Sequence, residues 1–204
     1  AFRLALSGSD FERAVTLIER AVPAMQRNRQ ELLLLSWFRA LPEEIFHTRP
    51  VLSIYCAGTL LQNGELNGVE TRLRDAERWL DPTATTEERA AASSAEMVVV
   101  DEGDFRRLPS WVAIYRAGIA QAVGKTADTV QYARQALSLV REDDHLLRGS
   151  AASLLGLAVW ASGDLEAAYR SYADGMAHLQ RAGNISDVVG GSLTLADMRI
   201  AQGR

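Results

Sequence analysis

The sequence is poor in cysteine, in aromatic residues and in long apolar runs. Its single cysteine, Cys56, excludes an internal disulfide and a cluster of thiol ligands for a metal. A reducing compartment, the cytoplasm, is therefore the expected location. The longest apolar stretches, such as 32–35 and 97–100, fall far short of the roughly 18 residues that cross a bilayer. We therefore predict no contact with a membrane.

The sequence has no large excess of positive or negative charge. The 22 Lys and Arg residues are opposed by 26 Asp and Glu residues, which gives a net charge of -4 without any basic block. A surface that binds nucleic acid would need such a block, so we expect no direct contact with DNA or RNA. The hydrophobic fraction of 48% over 204 residues is high enough for a packed core and too high for intrinsic disorder.

Segments with a helical pattern recur along the chain, and each ends at a glycine that another helical pattern follows. The glycines are Gly64, Gly124, Gly163 and Gly203, of which the last three lie 39 and 40 residues apart. This spacing is typical of stacked helical hairpins. With a further break near residue 8, it predicts a single all-α repeat domain over residues 1–204, a fragment cut at both ends from a longer chain.

The apolar residues after each glycine recur at three- and four-residue steps, as expected for an amphipathic helix. After Gly163 they are Leu165, Ala168, Tyr169, Tyr172, Met176 and Leu179. The helix before each glycine is apolar on all sides, which predicts an inner, buried position. Small residues are expected where paired helices cross, at Gly156 with Ala168, Ala117 with Thr129, and Ala57 with Val69.

No strand is predicted. The expected helices are 10–28, 30–40, 50–63, 65–80, 85–102, 109–123, 125–140, 143–162, 164–182 and 184–202. Prolines 42, 50, 82 and 109 are interpreted as breaks between helices, because a proline inside a helix costs about 3 kcal/mol. Pro23 lies inside the first pattern and predicts that this helix kinks or ends there.

Catalytic motifs are missing. Gly124-Lys125-Thr126 resembles the end of a phosphate-binding loop, but its spacing from Gly118 is one residue too long and no strand precedes it. The three histidines, His47, His145 and His178, are far apart and form no HExxH pattern. The sequence contains no GxSxG motif, which would identify a nucleophilic serine. The sequence therefore predicts no enzyme, no metal and no cofactor in this segment.

Aromatic and polar residues on the predicted inner helices are the candidates for a ligand-binding groove. They are Tyr55, Gln62, Trp111, Tyr115, Gln121, Trp160 and Asp197, with Arg199 as a further polar residue. In a stack of helical hairpins the first helices line the concave wall. The set would suit a hydroxyl-rich or aromatic small ligand. For any single residue, core packing with incidental polarity is the stronger interpretation.

Three stretches carry a resemblance to a known family. They are LPEEIFHTRP at 41–50 with the residues that follow, IYRAGIAQAVGKTADTVQYARQALSL, and LLGLAVWASGDLEAAYRSYADGMAHLQRAG followed by LADMRIAQGR. These stretches resemble the helical-repeat region of MalT-type bacterial transcription regulators, large LuxR-family proteins with an amino-terminal ATPase and a carboxy-terminal helix-turn-helix domain. The repeat periods, near 40, are longer than the roughly 34 residues of generic tetratricopeptide repeats.

The resemblance implies a right-handed, tetratricopeptide-like superhelix of antiparallel helix pairs. It also implies a function as a ligand-sensing and oligomerisation module of an ATP-dependent regulator. The implied partners are a small-molecule inducer or a peptide in the groove, and the neighbouring domains of the parent regulator. The alternative is a general protein-interaction scaffold of the tetratricopeptide type, in which the groove holds a segment of another protein.

Overall fold

A computed structural model describes residues 10–80 and 96–204, and within these residues the chain forms ten helices and no strand. The helices are α1 (Phe11–Arg27), α2 (Glu31–Phe38), α3 (Glu44–Thr48), α4 (Pro50–Gln62), α5 (Val69–Glu77), α6 (Glu102–Ala122), α7 (Thr126–Leu139), α8 (His145–Ala161), α9 (Leu165–Arg181) and α10 (Ile185–Ala201). The prediction of an all-α helical-repeat fold is confirmed. No helix of the described segments is long and apolar enough to span a membrane.

The chain divides into two compact units, Ala1–Leu108 and Pro109–Arg204. In the first unit, α1, α2, α3 and α5 all pack against α4. Every residue from 50 to 59 is buried, as expected for a helix that is apolar on all sides. α4 is therefore the central helix of this unit, and its inner position agrees with the prediction.

The second unit is a series of neighbouring helices in chain order. α8 packs on both α7 and α9, and α10 packs on α9. The apolar stripe predicted for α9 forms a core cluster with Met198 of α10, and it includes Ala168, Tyr172, Met176 and Leu179. Each helix thus contacts mainly its sequence neighbours, which is the packing expected of a repeat protein.

The predicted glycine breaks are turns at the ends of helices. Gly64, Gly124, Gly163 and Gly203 all have positive φ, between 73° and 90°. At Gly163, where φ is 90°, the amide donates to the Trp160 carbonyl and closes the end of α8. A side chain would be strained in this left-handed conformation, so glycine is the residue that fits there. The break near residue 8 lies outside the described residues.

The prediction that Pro109 breaks a helix is wrong, and of the two alternatives predicted at Pro23, a kink or a helix end, the end is not found. α6 begins at Glu102 and runs through Pro109, and α1 continues past Pro23 to Arg27. Asp101 starts α6, since its carboxylate accepts hydrogen bonds from the amides of Gly103 and Asp104. Buried residues on both sides of each proline, such as Leu108 and Ser110, show that packing compensates for the missing amide donor.

Three helix predictions need correction. The helix predicted at 85–102 lies largely outside the described residues. Residues 96–101 are not helical, and there the Val98 amide donates to the Thr48 carbonyl. The helix predicted at 65–80 is shorter, since Gly68 has a φ of 86° and α5 begins after it. The short helix α3 was not predicted, because five residues are too few to show a helical period.

Helices α8 and α9 approach closely at glycines. A Cβ atom added to Gly156 would lie 2.7 Å from the Tyr172 nitrogen, and one added to Gly149 would lie 2.9 Å from the Gly175 carbonyl oxygen. Real Cβ atoms do not approach backbone atoms so closely. The expectation that small residues lie where these helices cross is met at Gly156, although its nearest neighbour is Tyr172 and not Ala168.

Candidate functional site

The seven predicted site residues divide between the two units, with Tyr55 and Gln62 on α4 of the first. Tyr55 is buried, and its hydroxyl donates to Asp104 over 2.6 Å. Gln62 is exposed at the last turn of α4. Tyr55 therefore serves as a packed link between α4 and α6, whereas Gln62 is accessible to a ligand.

Trp111 and Tyr115 form an aromatic pair on α6. Their rings are stacked, with centroids 5.1 Å apart and an interplanar angle of 26°. Trp111 is half-buried, while Tyr115 is only 7% exposed. Burial raises the pKa of the Tyr115 phenol far above its usual value, so this group stays protonated and offers no base. Trp111 is therefore the more accessible member of the pair.

The other three candidates of the second unit lie at helix ends or on open surface. Gln121 is half-buried near the end of α6, and Trp160 is half-buried where it packs against the α9 core cluster. Asp197 is exposed on α10. Arg199, on the same helix, places its guanidinium 3.8 Å from the centre of the Tyr169 ring, which is a cation–π contact.

A pair of histidines was missed by the sequence analysis. The Nδ1 atoms of His145 and His178 lie 3.0 Å apart, within hydrogen-bonding distance, and the His178 Nε2 atom is 3.8 Å from an Asp174 carboxylate oxygen. Burial lowers the pKa of His178. The pairing could have been predicted, because an antiparallel hairpin that turns near Gly163 places residues 145 and 178 opposite each other.

The first unit contains a buried ion pair that was also not predicted from the sequence. Arg49 is 2% exposed and donates to Glu19 over 3.1 Å and to Glu12. Burial raises the pKa of Glu19 to about 7, although the Arg49 charge opposes the shift. Glu19 Oε1 and Arg49 Nε have no hydrogen-bond partner within the described segments. We interpret the ion pair as a structural contact in which each side chain keeps one polar atom without a hydrogen bond.

A second charged network lies beside it in the same unit. Asp75, nearly buried, accepts from Arg72 over 2.8 Å and from Arg78 over 3.1 Å, and it lies 2.9 Å from His47 Nδ1. Arg72 also donates to Glu43 and lies over the Phe46 ring. These contacts join α3 to α5, and each charge has a partner. We interpret the network as a structural link.

Two kinds of reactive group can be examined among the described residues, metal-ligand clusters and the thiol. Among residues 10–80 and 96–204, no group of three or more His, Cys, Asp or Glu side chains is placed to hold a metal ion. Burial raises the pKa of the single thiol, Cys56, to about 12, so it is a poor nucleophile. A half-exposed indole ring, such as that of Trp111 or Trp160, can hold a flat or hydroxyl-bearing molecule by stacking and hydrogen bonds.

Comparison with known proteins identifies the repeat type of the second unit. No curated protein and no solved structure matches the chain. Residues 110–204 match a protein family described as the MalT-like TPR region. The match covers α7 to α10 and most of α6, including the hairpin turns at Gly124 and Gly163. This segment of the chain is therefore similar to the MalT-like TPR region.

Proposed function

We propose that the chain is the regulatory repeat module of a bacterial LuxR-type, ATP-dependent transcription regulator, in which it senses a ligand and takes part in oligomerisation. The observation that carries the proposal is the match of residues 110–204 to the MalT-like TPR region. In this role the module acts in the cytoplasm beside an ATPase and a DNA-binding domain of the same regulator. It needs neither a cofactor nor catalytic residues of its own, and it does not touch DNA.

The ligand site that we favour is on the second unit. Trp111, stacked on Tyr115, offers an aromatic surface whose buried neighbour keeps it in place. Gln121, ten residues further along α6, adds an amide that both donates and accepts hydrogen bonds. Trp160 of α8 is a second half-buried indole. These groups favour an uncharged, hydroxyl-rich or aromatic metabolite over a strongly anionic one.

A repeat module suits a switch for a simple physical reason. Because each helix packs mainly on its neighbours, a ligand that touches two hairpins changes how they pack on one another. The ligand can shift the equilibrium between two arrangements only by its difference in affinity for them. We propose that such a shift passes the signal to the neighbouring domains.

A thermal-shift screen against sugars, nucleotides and other small metabolites tests the ligand, with tryptophan fluorescence as a second readout. A ligand at one hundred times its dissociation constant stabilises the folded state by about 2.7 kcal/mol. Each kcal/mol moves the midpoint by roughly 2–4 °C for a domain of this size. We expect Trp111→Phe and Trp160→Phe to remove the fluorescence change, whereas Trp37→Phe, in the first unit, keeps it. An unchanged response in both variants would place the ligand elsewhere.

The second candidate function is a protein-interaction scaffold. One observation favours it: four large apolar side chains of α10 are more than half exposed, which is more than a small-molecule site requires. Absence of any shift across a broad metabolite panel, together with saturable binding of a helical peptide, would decide for the scaffold. Turnover of a metabolite by the isolated chain would contradict both functions.

A further inference from the structure

The turn between α4 and α5 contains two Asn-Gly pairs, Asn63-Gly64 and Asn67-Gly68. In such a pair, the main-chain nitrogen of the glycine can attack the side-chain carbonyl carbon of the asparagine. Glycine permits this attack better than other residues, because it has no side chain in the way and restricts its backbone least. The sequence therefore makes both pairs chemically equivalent, and their surroundings decide which of them reacts.

The first pair is held by hydrogen bonds at both of its reacting groups. The Gly64 amide donates to the Leu61 carbonyl over 3.0 Å, so the proton that must leave this nitrogen is bound. Asn63 is half-buried, and its Nδ2 donates to the Thr59 carbonyl over 2.8 Å. Closing a ring between Asn63 and Gly64 would break both bonds. We therefore expect this pair to react slowly in the folded chain.

The second pair is held by far fewer contacts. Asn67 and Gly68 are both exposed. Within residues 10–80 and 96–204, neither the Gly68 amide nor the Asn67 side chain forms a hydrogen bond. The turn around the pair is closed by a bond of 3.3 Å from the Val69 amide to the Leu66 carbonyl, which is longer than most N–H···O bonds. Opening of this bond leaves the backbone of Asn67 able to rotate until its side chain meets the Gly68 nitrogen.

We propose that Asn67 is a site of spontaneous deamidation, in which the chain modifies itself with water as the co-reactant. The Gly68 nitrogen loses its proton to hydroxide and bonds to Cγ of Asn67, while the Cγ–Nδ2 bond breaks and ammonia leaves. The product is a succinimide ring. Water then opens this ring in either of two ways. A break between the nitrogen and Cγ gives aspartate, and a break between the nitrogen and the main-chain carbonyl carbon gives isoaspartate.

The two products differ in their effect on α5, which begins at the buried Val69. Aspartate at position 67 keeps the main chain and adds a negative charge near the helix N-terminus, where it is favourable. Isoaspartate routes the main chain through the side-chain carbon, so an extra carbon atom separates position 67 from Gly68. The Gly68 carbonyl accepts from the Arg72 amide over 3.1 Å and starts α5. We expect isoaspartate to displace Gly68 and so to loosen α5.

The first test follows the folded chain at pH 8 and 37 °C by mass spectrometry. Cleavage after Glu65 places the two pairs in different peptides, so the deamidation of each is measured separately. We expect Asn67 to deamidate at least about tenfold faster than Asn63, because more hydrogen bonds must open at Asn63. In urea above the unfolding midpoint, where these bonds are lost, the two pairs should react at similar rates.

Rates in the folded and the unfolded chain separate the effect of structure from that of sequence. Equal rates at the two pairs in the folded chain would overturn the proposal, and so would a faster reaction at Asn63. An unmodified Asn67 in the folded chain, after a time in which the unfolded chain has reacted, would also overturn it. These measurements use no ligand and no partner, so their outcome does not depend on the proposed function.

The second test compares variants before and after the same incubation. Asn67→Gln should block the reaction, because a glutamine side chain would have to close a larger ring that forms more slowly. Asn63→Gln is the matched control and should change with time as the unchanged chain does. Hydrogen exchange of the α5 amides should accelerate in the incubated unchanged chain, but not in incubated Asn67→Gln or in fresh Asn67→Asp. Equal acceleration in incubated Asn67→Gln would contradict the assignment to Asn67.

Discussion

His145 and His178 face each other across the α8–α9 hairpin, with 3.0 Å between their Nδ1 atoms. One of the two atoms must donate and the other accept, so the contact survives with a single shared proton but not with two imidazolium rings. Arg148 of α8 and Arg181 of α9 add positive charge around His178, while Asp174 opposes it. The hairpin therefore contains a contact that acid breaks.

The first prediction concerns the pH dependence of this hairpin. Burial lowers the pKa of His178 from its usual 6.5, so the unfolded chain binds this proton more tightly than the folded chain. The stabilising contribution is full above about pH 6.5 and is lost as the pH falls through the folded-state pKa. Hydrogen exchange of the α8 and α9 amides should accelerate at pH 5 relative to pH 7.5, after correction for the intrinsic rate.

His178→Asn should reduce this acceleration, because the titrating ring is gone. His47→Asn is the control, since His47 pairs with Asp75 in the first unit. If the α8 and α9 amides of His178→Asn respond to pH as those of the unchanged chain do, the histidine pair is not the cause.

The second prediction concerns the Arg49–Glu19 pair. Removing one partner of a buried pair leaves a buried charge, so Arg49→Met should destabilise the first unit by about 3–5 kcal/mol at pH 8. Arg39→Met removes an exposed pair with Glu65 and should cost less than about 1 kcal/mol. Urea denaturation measures both. Equal losses in the two variants would contradict the structural role of the buried pair.

The third prediction follows from the pKa of Glu19, which burial raises to about 7. The folded chain therefore binds this proton more tightly than the unfolded chain, where the value is near 4.5. Its stabilising contribution is full below about pH 4.5 and is lost as the pH rises through about 7. In the Glu19→Gln variant, the urea midpoint should change less with pH between about 4.5 and 7 than it does in the unchanged chain. If the urea midpoint of the variant depends on pH as that of the unchanged chain does, another group titrates in this pH range.

The fourth prediction compares Gly156 of α8 with Gly190 of α10. Gly156→Ala places a Cβ atom against the Tyr172 backbone and should destabilise the second unit by about 1–3 kcal/mol. Gly190→Ala adds a Cβ atom in open space and should stabilise α10 by roughly 0.5–1 kcal/mol through its better helix propensity. Thermal unfolding of the two variants should therefore shift in opposite directions. A stabilised Gly156→Ala variant would contradict the close approach.

The fifth prediction concerns Cys56, which is 6% exposed and has a pKa raised to about 12 by burial. A thiol reagent at pH 8 should label it only as fast as the first unit opens, because the reactive thiolate is scarce and shielded. Addition of urea above the unfolding midpoint should make labelling complete and rapid. Fast labelling of the folded chain would indicate that α4 is accessible.

The helices and their glycine turns were predictable because their signals are local. The stripe from Leu165 to Leu179 and the turn at Gly163 each depend on residues close in sequence. Pro109 misled the prediction because proline penalties are also local, whereas the packing that outweighs them is not. The start of α6 at Glu102 depends on a side-chain cap from Asp101 that no period reveals.

The candidate site was less predictable, because the sequence pattern does not show how deeply each aromatic residue is buried. Tyr55 and Tyr115 are both tyrosines on apolar helices, and both are packed; Trp111 is packed less tightly. The Arg49–Glu19 and His145–His178 contacts join residues about 30 positions apart. The histidine pair could have been found from the hairpin turn at Gly163, whereas the Arg49–Glu19 pair depends on the angle between helices, which periodicity does not specify.

The close contact of Gly149 and Gly156 with α9 also limits how this repeat can change over evolutionary time. Neither position can accept a larger residue without moving a helix, so both should be nearly invariant among relatives that keep this hairpin.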